Sequence, residues 1–386
     1  MLTGLAAALA SGLLVDGSVL SEVRAGSSVG GQDPRAGAAS FDLQARASNA
    51  DGAVRFGIAP SAVLADRPQV FARAFGEAEL RLSRTASARL RQTLSYGEID
   101  LSPVATPVAA LPVTPVPAAP PTTPVPPGSR FVSVEESNTS LQLDVAPSRR
   151  LRFSGFAAWT VAGGADGEAQ PFFPLSRGPR VSALLVWSAT PLDTLRFETS
   201  GSDTRYANGH RASVASFTAG WRTRASRSAE LSLSVGPGVG RAQTGEQAAA
   251  ITPYAVASAD LRFAADTGAW VSIGAMLEPL GDPLTGELVE RGGARASVTL
   301  GRPGGVTVSG RLSGSAALTS GAGGPSSPRA GDLYGQAELG VAIPIDTRSS
   351  VTAGGRAAFL SRPLLDQTPR QWVAFVSYAV RLPLSR

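Results

Sequence analysis

Apolar and polar positions alternate with a period of two along almost the whole chain. From Val306 to Leu318, one parity holds Val306, Val308, Gly310, Leu312, Gly314, Ala316 and Leu318. The other holds Thr307, Ser309, Arg311, Ser313 and Ser315. Successive side chains of a strand point to opposite faces, so this spacing predicts a strand with one apolar and one polar side. Leu333 to Ile345 repeats it, with Leu339, Val341, Ile343 and Ile345 opposite Gln336 and Glu338. Between 72 and 82, Ala74, Ala78, Leu80 and Leu82 oppose Arg73, Glu77, Glu79 and Arg81. The pattern predicts 18 segments, beginning near residues 19, 39, 53, 70, 86, 130, 149, 179, 193, 211, 228, 251, 268, 286, 304, 331, 348 and 371. Most of them are longer than the ~5 to 6 residues typical of strands in soluble sandwiches. They are long enough for a membrane crossing, which takes ~9 to 11.

The connections alternate in length. Tight turns are expected at Asn49 to Gly52, Arg84 to Ser87, Pro147 to Arg149, Ala225 to Ser228, Arg302 to Gly305 and Asp346 to Ser349. Longer links cover 101–129, 164–179, 202–211, 241–251, 279–292, 319–331 and 361–371. A secreted sandwich would bury its apolar faces against a second sheet and has no reason to alternate its loops. Over essentially its full length the chain instead resembles the bacterial outer-membrane β-barrel superfamily. The resemblance implies an all-β fold, an antiparallel transmembrane up-and-down barrel of about 18 strands with short periplasmic turns and long outer loops. The expected organisation is an apolar N-terminus, 1–18, and a single barrel, 19–386, with a Pro-rich outer loop at 102–128. The N-terminal LAAALASGLL stretch, with Ala8-Leu9-Ala10, has the character of a degraded secretory signal without a basic n-region.

Trp159, Trp187, Trp221 and Trp372 share the apolar parity. They are expected to form interfacial girdles, Trp159 and Trp372 at the outer rim and Trp187 and Trp221 at the inner one. The last segment carries Trp372, Val376, Tyr378, Val380, Leu382 and Leu384 on one face. It resembles the C-terminal strand that barrel-assembly machinery reads in this superfamily, although Ser385-Arg386 stand where a terminal aromatic is usual. Outer-membrane lipid and that machinery are the implied partners.

Composition narrows the chemistry. Hydrophobic residues make up 43% of the 386 positions and charged ones 17%. That is too apolar for a disordered chain. No apolar run approaches the ~18 to 20 residues of a membrane helix. With no cysteine there is no disulfide, thiolate metal site or acylated anchor. All 35 basic residues are arginine, spread along the chain without a cluster of interleaved aromatics. That argues against nucleic acid despite a net charge of +5. The single histidine, His210 in Asn208-Gly209-His210-Arg211, has no nucleophile motif beside it. Asp166 with Glu168, and Asp282 with Glu287, read as solvated loop charges, and Gly236-Pro-Gly238-Val-Gly240 as a strand kink. No enzyme, cofactor or metal is expected.

What remains is the lumen, because ~18 strands enclose more space than side chains fill. The polar parity places Arg73, Arg81, Arg89, Arg91, Arg150, Arg152, Arg196, Arg222, Arg262, Arg295, Arg311, Arg356 and Arg381 on the expected transport path. The acids of that parity, such as Glu77, Glu79, Asp144, Glu198, Glu230, Asp260 and Glu338, are fewer. The surplus of guanidinium would attract anions. Ser102 to Gly128 holds ten prolines and no charge. It reads as an external polyproline-II or disordered loop rather than a constriction. The expected function is an outer-membrane channel. The strand count and Arg-lined wall resemble the barrels of polysaccharide export systems, which implies a periplasmic polysaccharide export protein as partner. A porin for small anionic solutes and a structural or adhesive barrel are the alternatives.

Overall fold

The computed structural model describes residues 14–26, 36–49, 51–64, 68–100, 131–167, 169–170, 174–243, 250–265, 268–281, 288–302, 304–319, 333–360 and 370–383. They form 18 antiparallel strands: β1 (Leu14–Gly26), β2 (Ala36–Ser48), β3 (Gly52–Leu64), β4 (Pro68–Arg81), β5 (Ala86–Asp100), β6 (Phe131–Val145), β7 (Leu151–Gly164), β8 (Ser176–Ser188), β9 (Asp193–Tyr206), β10 (Arg211–Arg224), β11 (Ala229–Gln243), β12 (Ala250–Ala264), β13 (Trp270–Gly281), β14 (Leu288–Gly301), β15 (Thr307–Ala317), β16 (Leu333–Pro344), β17 (Ser349–Leu360) and β18 (Arg370–Pro383). Each pairs with its neighbours in sequence, and β1 pairs with both β2 and β18, so the sheet closes. Closure satisfies backbone groups that lipid would leave unpaired.

The alternation read in the sequence becomes an outside and an inside. Leu90, Leu94, Leu141, Leu143, Phe153, Val181, Phe217 and Val235 face out and are exposed, as a lipid-facing band requires. Trp159, Trp187, Trp221 and Trp372 lie on the same outer face. Short turns on one rim are built by side-chain acceptors for backbone N–H groups. Asn49 Oδ1 accepts from Asp51 and Gly52, Thr190 Oγ1 from Leu192 and Asp193, and Asp346 Oδ1 from Arg348 and Ser349, both at 2.7 Å.

Several boundaries differ from the sequence reading; the link expected over 279–292, for example, covers only 282–287 between β13 and β14. β1 starts at Leu14 rather than near 19, because Val15, Gly17 and Val19 already alternate with Asp16 and Ser18. The link expected over 202–211 shrinks to 207–210. Asn208-Gly209, with Gly209 at φ 86°, closes a tight hairpin in which the Tyr206 N–H donates to the His210 carbonyl. An Asn-Gly pair suits such a turn because both residues tolerate a positive φ. The Pro-rich segment 102–128 and residues 1–13 lie outside the described residues.

Candidate functional site: an arginine-lined inner wall

Pleat and register place the expected lumen arginines on the inner face, with one exception. Arg150 belongs to the turn between β6 and β7, where its N–H is held by Ser148 Oγ, and sits at the short-turn rim. The others divide by what they touch.

Several are tied into the wall. Arg89 donates to Glu79 at 3.1 Å and lies 3.9 Å from Glu77. Arg222 donates to Glu230 across β10 and β11 at 2.7 Å. Arg295 of β14 reaches Asp260 of β12 at 2.8 Å, passing over β13 at Gly274. A Cβ on Gly274 would stand 2.3 Å from Asp260 Oδ1, so the missing side chain makes room for the pair. Arg262 lies over Trp270, 5.9 Å from the ring centroid. Arg55 lies over Phe75 at 5.5 Å. Both are cation–π contacts, in which the ring face attracts the guanidinium.

Arg356 is buried, its side chain only 2% exposed. From β17 its guanidinium crosses β18 on the face of Phe375, 4.0 Å from the centroid, and binds Glu22 of β1 through two bonds of 3.0 and 2.8 Å. Its Nε donates to Glu338 at 3.2 Å. The planar fork makes this bidentate grip possible. Arg356 is therefore on the inner face but shut off from the water-filled lumen, and it acts as wall structure at the closing seam.

A second group is open. Near the short-turn mouth, a cavity of about 940 Å³ is lined by Arg46, Arg81, Arg152, Arg196 and Arg222, with Glu79 and Asp144 among them. Each of these arginines comes from a different strand close to its short-turn end. Asp144 accepts from Gln142 at 2.9 and 3.1 Å and from Ser154 Oγ, so its charge is engaged by neutral donors. Among the described residues Arg46, Arg81, Arg152 and Arg196 form no ion pair within 4.0 Å. This is a collar of positive charge at one mouth of the barrel.

The opposite half carries a feature the sequence reading missed. β12 pairs with β13 only from Ala257–Leu277 to Ala264–Trp270; beyond that, β12 continues on β11 and β13 on β14. The tip of the β13–β14 hairpin leans inward and slides behind the β11–β12 wall. Leu288, on the outer face of β14, meets inward Gly240 of β11, where a Cβ would stand 2.1 Å from Leu288 Cδ1. The Tyr254 ring lies on Gly238, and its hydroxyl donates to the Ala215 carbonyl at 2.9 Å. The freed Ala255 N–H donates to Glu290 of β14 at 3.1 Å. Gly238 and Gly240 thus leave room for Tyr254 and Leu288, while at Gly236-Pro237, where a kink was expected, the β10–β11 ladder is interrupted. The inner face of the tip presents Glu278 and Arg291 to the lumen, and Glu278 lies within electrostatic reach of Arg180 on β8. Arg180 also faces in; its parity was legible from the polar side of its segment.

No curated protein matches the chain. Solved structures with the same fold include Pseudomonas aeruginosa OccK1 (OpdK), at 10% identity and a TM-score of 0.52 over 96% of this chain and 98% of that one. OccK3 (OpdO) of the same species aligns at 13% identity with a TM-score of 0.50, covering 100% and 99%. OprD of the same species aligns at 9% identity and 0.50, covering 97% and 96%. With its closed antiparallel sheet and outward apolar band, this is an outer-membrane barrel of a Gram-negative bacterium. Residues 67–381 match the EpsX exopolysaccharide export family. That match spans most of the chain, and the chain belongs to the EpsX exopolysaccharide export family.

Proposed function

We propose that the barrel is an outer-membrane channel through which polysaccharide bearing acidic groups leaves the periplasm. The observation that carries this reading is the collar of ion-pair-free arginines at the short-turn mouth, the periplasmic side of such barrels. A guanidinium matches carboxylate and phosphate geometry, and in a restricted aqueous space its field reaches about one Debye length, ~10 Å at 0.1 M salt. Several such groups along one arc of the mouth concentrate a polyanion at the entrance. None grips it bidentately in a dry pocket, so the polymer passes from one arginine to the next. Arg73, Arg91, Arg262, Arg311 and Arg381 continue the path along the wall. Arg89, Arg222 and Arg295 contribute less field because acids neutralise them, and Arg150 belongs to the rim that a periplasmic polysaccharide export protein would meet.

The test is Arg81→Glu, Arg152→Glu and Arg196→Glu combined in the producing strain. Secreted polysaccharide should fall, and polymer should accumulate in the periplasm, while the barrel still shifts on gels before and after boiling. Undiminished secretion from a folded, collar-reversed barrel would refute the reading. A porin for small anionic solutes is the second reading, favoured by the leaning β13–β14 tip, which narrows the lumen. Under that reading deletion of the gene leaves secretion intact and slows uptake of small anions.

A further inference from the structure

The described strand arginines face the lumen almost without exception, yet four face lipid on four consecutive strands at the long-loop rim. They are Arg177 on β8, Arg205 on β9, Arg211 on β10 and Arg241 on β11, all exposed. Register aligns three of them. Arg177 stands opposite Arg205, and Arg205 opposite Arg211; Arg241 is opposite Ser213, one outward step below. The one other outward-facing arginine among the described strand residues is Arg370 on β18. Among the described residues a single acid lies in the patch. Asp203 accepts from Arg211 at 2.7 and 2.8 Å and from Ser213 Oγ at 2.7 Å, and is 4.0 Å from Arg205 Nε. Arg177 and Arg241 form no ion pair among the described residues.

The height of the patch is set by a second row. Trp187, Leu195, Trp221 and Leu233 run across the same four strands in register. Arg177, Arg205 and Arg211 each lie ten residues from the member of that row on their own strand. Ten residues of strand span ~34 Å, and at a tilt of ~40° they rise ~26 Å along the membrane normal. That is the height of the apolar band, ~25 Å. Between the rows the outer face is mostly apolar, with Val181, Phe217, Val235, Val239, Gly201 and Ala215, interrupted by Thr199 and, next to the arginines, by Asp203 and Ser213. The arginines therefore stand at the level of the outer-leaflet headgroups, above a surface that acyl chains would cover.

We infer that β8–β11 bind a phosphorylated glycolipid of the outer leaflet, its phosphates on Arg177, Arg205 and Arg241 and its acyl chains on the apolar face below. The Arg211–Asp203 pair keeps one guanidinium occupied and braces the site, leaving three for the ligand. Phosphate accepts the planar fork of arginine in the geometry carboxylate does. A desolvating acyl layer strengthens such bonds relative to open water.

The experiment uses the full-length barrel in detergent, with purified lipopolysaccharide and its enzymatically dephosphorylated form as probes. Binding is measured by thermophoresis, and retained lipid by native mass spectrometry. Lipopolysaccharide should bind the wild type, and the dephosphorylated form about tenfold or more weakly. The Arg177→Gln, Arg205→Gln, Arg241→Gln triple variant should lose affinity to a similar degree and show little further difference between the two lipids. Arg370→Gln should bind as the wild type does. If the triple variant does not fold, Arg177→Gln and Arg241→Gln are measured singly, since neither breaks an ion pair. Equal binding of both lipids by the wild type would overturn the proposal, as would undiminished binding by the folded variants. Displacement of the lipid by inorganic phosphate alone would reduce the site to one for a free anion and overturn it too.

Discussion

β18 and β1 lie at opposite ends of the chain, whereas β12 and β13 are separated only by residues 265–269. Yet the distant pair is the tighter. Its ladder runs from Asp16–Pro383 to Gly26–Val373, and Arg356 clamps it by reaching over β18 to Glu22. The hairpin neighbours zip for about half their length, then separate so that the β13–β14 tip tucks behind β11. Entropy explains the contrast. A hairpin holds its strands together whatever the ladder does, so part of its ladder can be given up. The closing seam has no covalent help and needs side chains that bridge it. Both seams use one device, an arginine passing over an intervening strand to an acid: Arg356 over β18, and Arg295 over β13 to Asp260. Above the second bridge the wall opens.

Breaking the clamp should have the largest effect. Glu22→Gln removes the bidentate counter-charge of buried Arg356 and leaves it only Glu338, a loss approaching the ~3–5 kcal/mol of a broken buried pair. The variant should assemble poorly and unfold at lower temperature, read by the gel shift on heating. Glu22→Leu with Arg356→Met should recover much of that stability, since an apolar pair avoids the desolvation of two ions. If the double variant is as unstable as the single one, the cost lies in Glu338, which loses its bond from Arg356 in the double variant.

The overlapping seam is broken from the other side. Gly240→Leu places side-chain atoms where Leu288 now lies, and should push the hairpin tip toward the wall line. Single-channel conductance should rise while the heat-induced gel shift stays near that of the wild type. Unchanged conductance would mean that the tip does not limit the path. Glu290→Ala frees the Ala255 N–H and should act in the same direction, more weakly, at a cost of about 1–3 kcal/mol for the unpaired donor.

The collar should separate charge from architecture. Arg152→Glu with Arg196→Glu should move the reversal potential in a salt gradient toward cations, and less so as salt shortens the Debye length from ~10 Å at 0.1 M to ~3 Å at 1 M. Arg89→Glu should shift selectivity less per charge and weaken the wall more, because it turns a bridge to Glu79 into a repulsion.

The smallest effect is at the β16–β17 turn. Backbone N–H donation from Arg348, then bonds from Ser349, hold the Asp346 carboxyl below its ordinary pKa. A carboxyl depressed in the folded state stabilises the turn above its unfolded pKa and loses that contribution as pH falls through the folded value. The acid side of the unfolding profile should therefore flatten slightly in Asp346→Asn. An unchanged profile would assign acid sensitivity to other carboxylates.

Alternation alone, read from side chains as small as Ala and Gly, located all 18 strands. It also assigned Arg73, Arg81, Arg152, Arg196 and Arg311 to the inner face, because a pleat leaves a residue only two directions to face. Sequence could not separate the open arginines from the braced ones. Glu22 and Arg356 are 334 positions apart, and only closure of the ring brings them within 2.8 Å. Nor could parity show that Arg177, Arg205 and Arg211 form one row, since that depends on the register of two hairpins. The inward lean of β13–β14 rests on glycines at 238 and 240, whose missing side chains make room for Tyr254 and Leu288 and acquire meaning only when another strand needs the space. Local chemistry decided where each strand runs and which way it faces. Closure, register and the packing of one layer behind another decided which charges remain free to act.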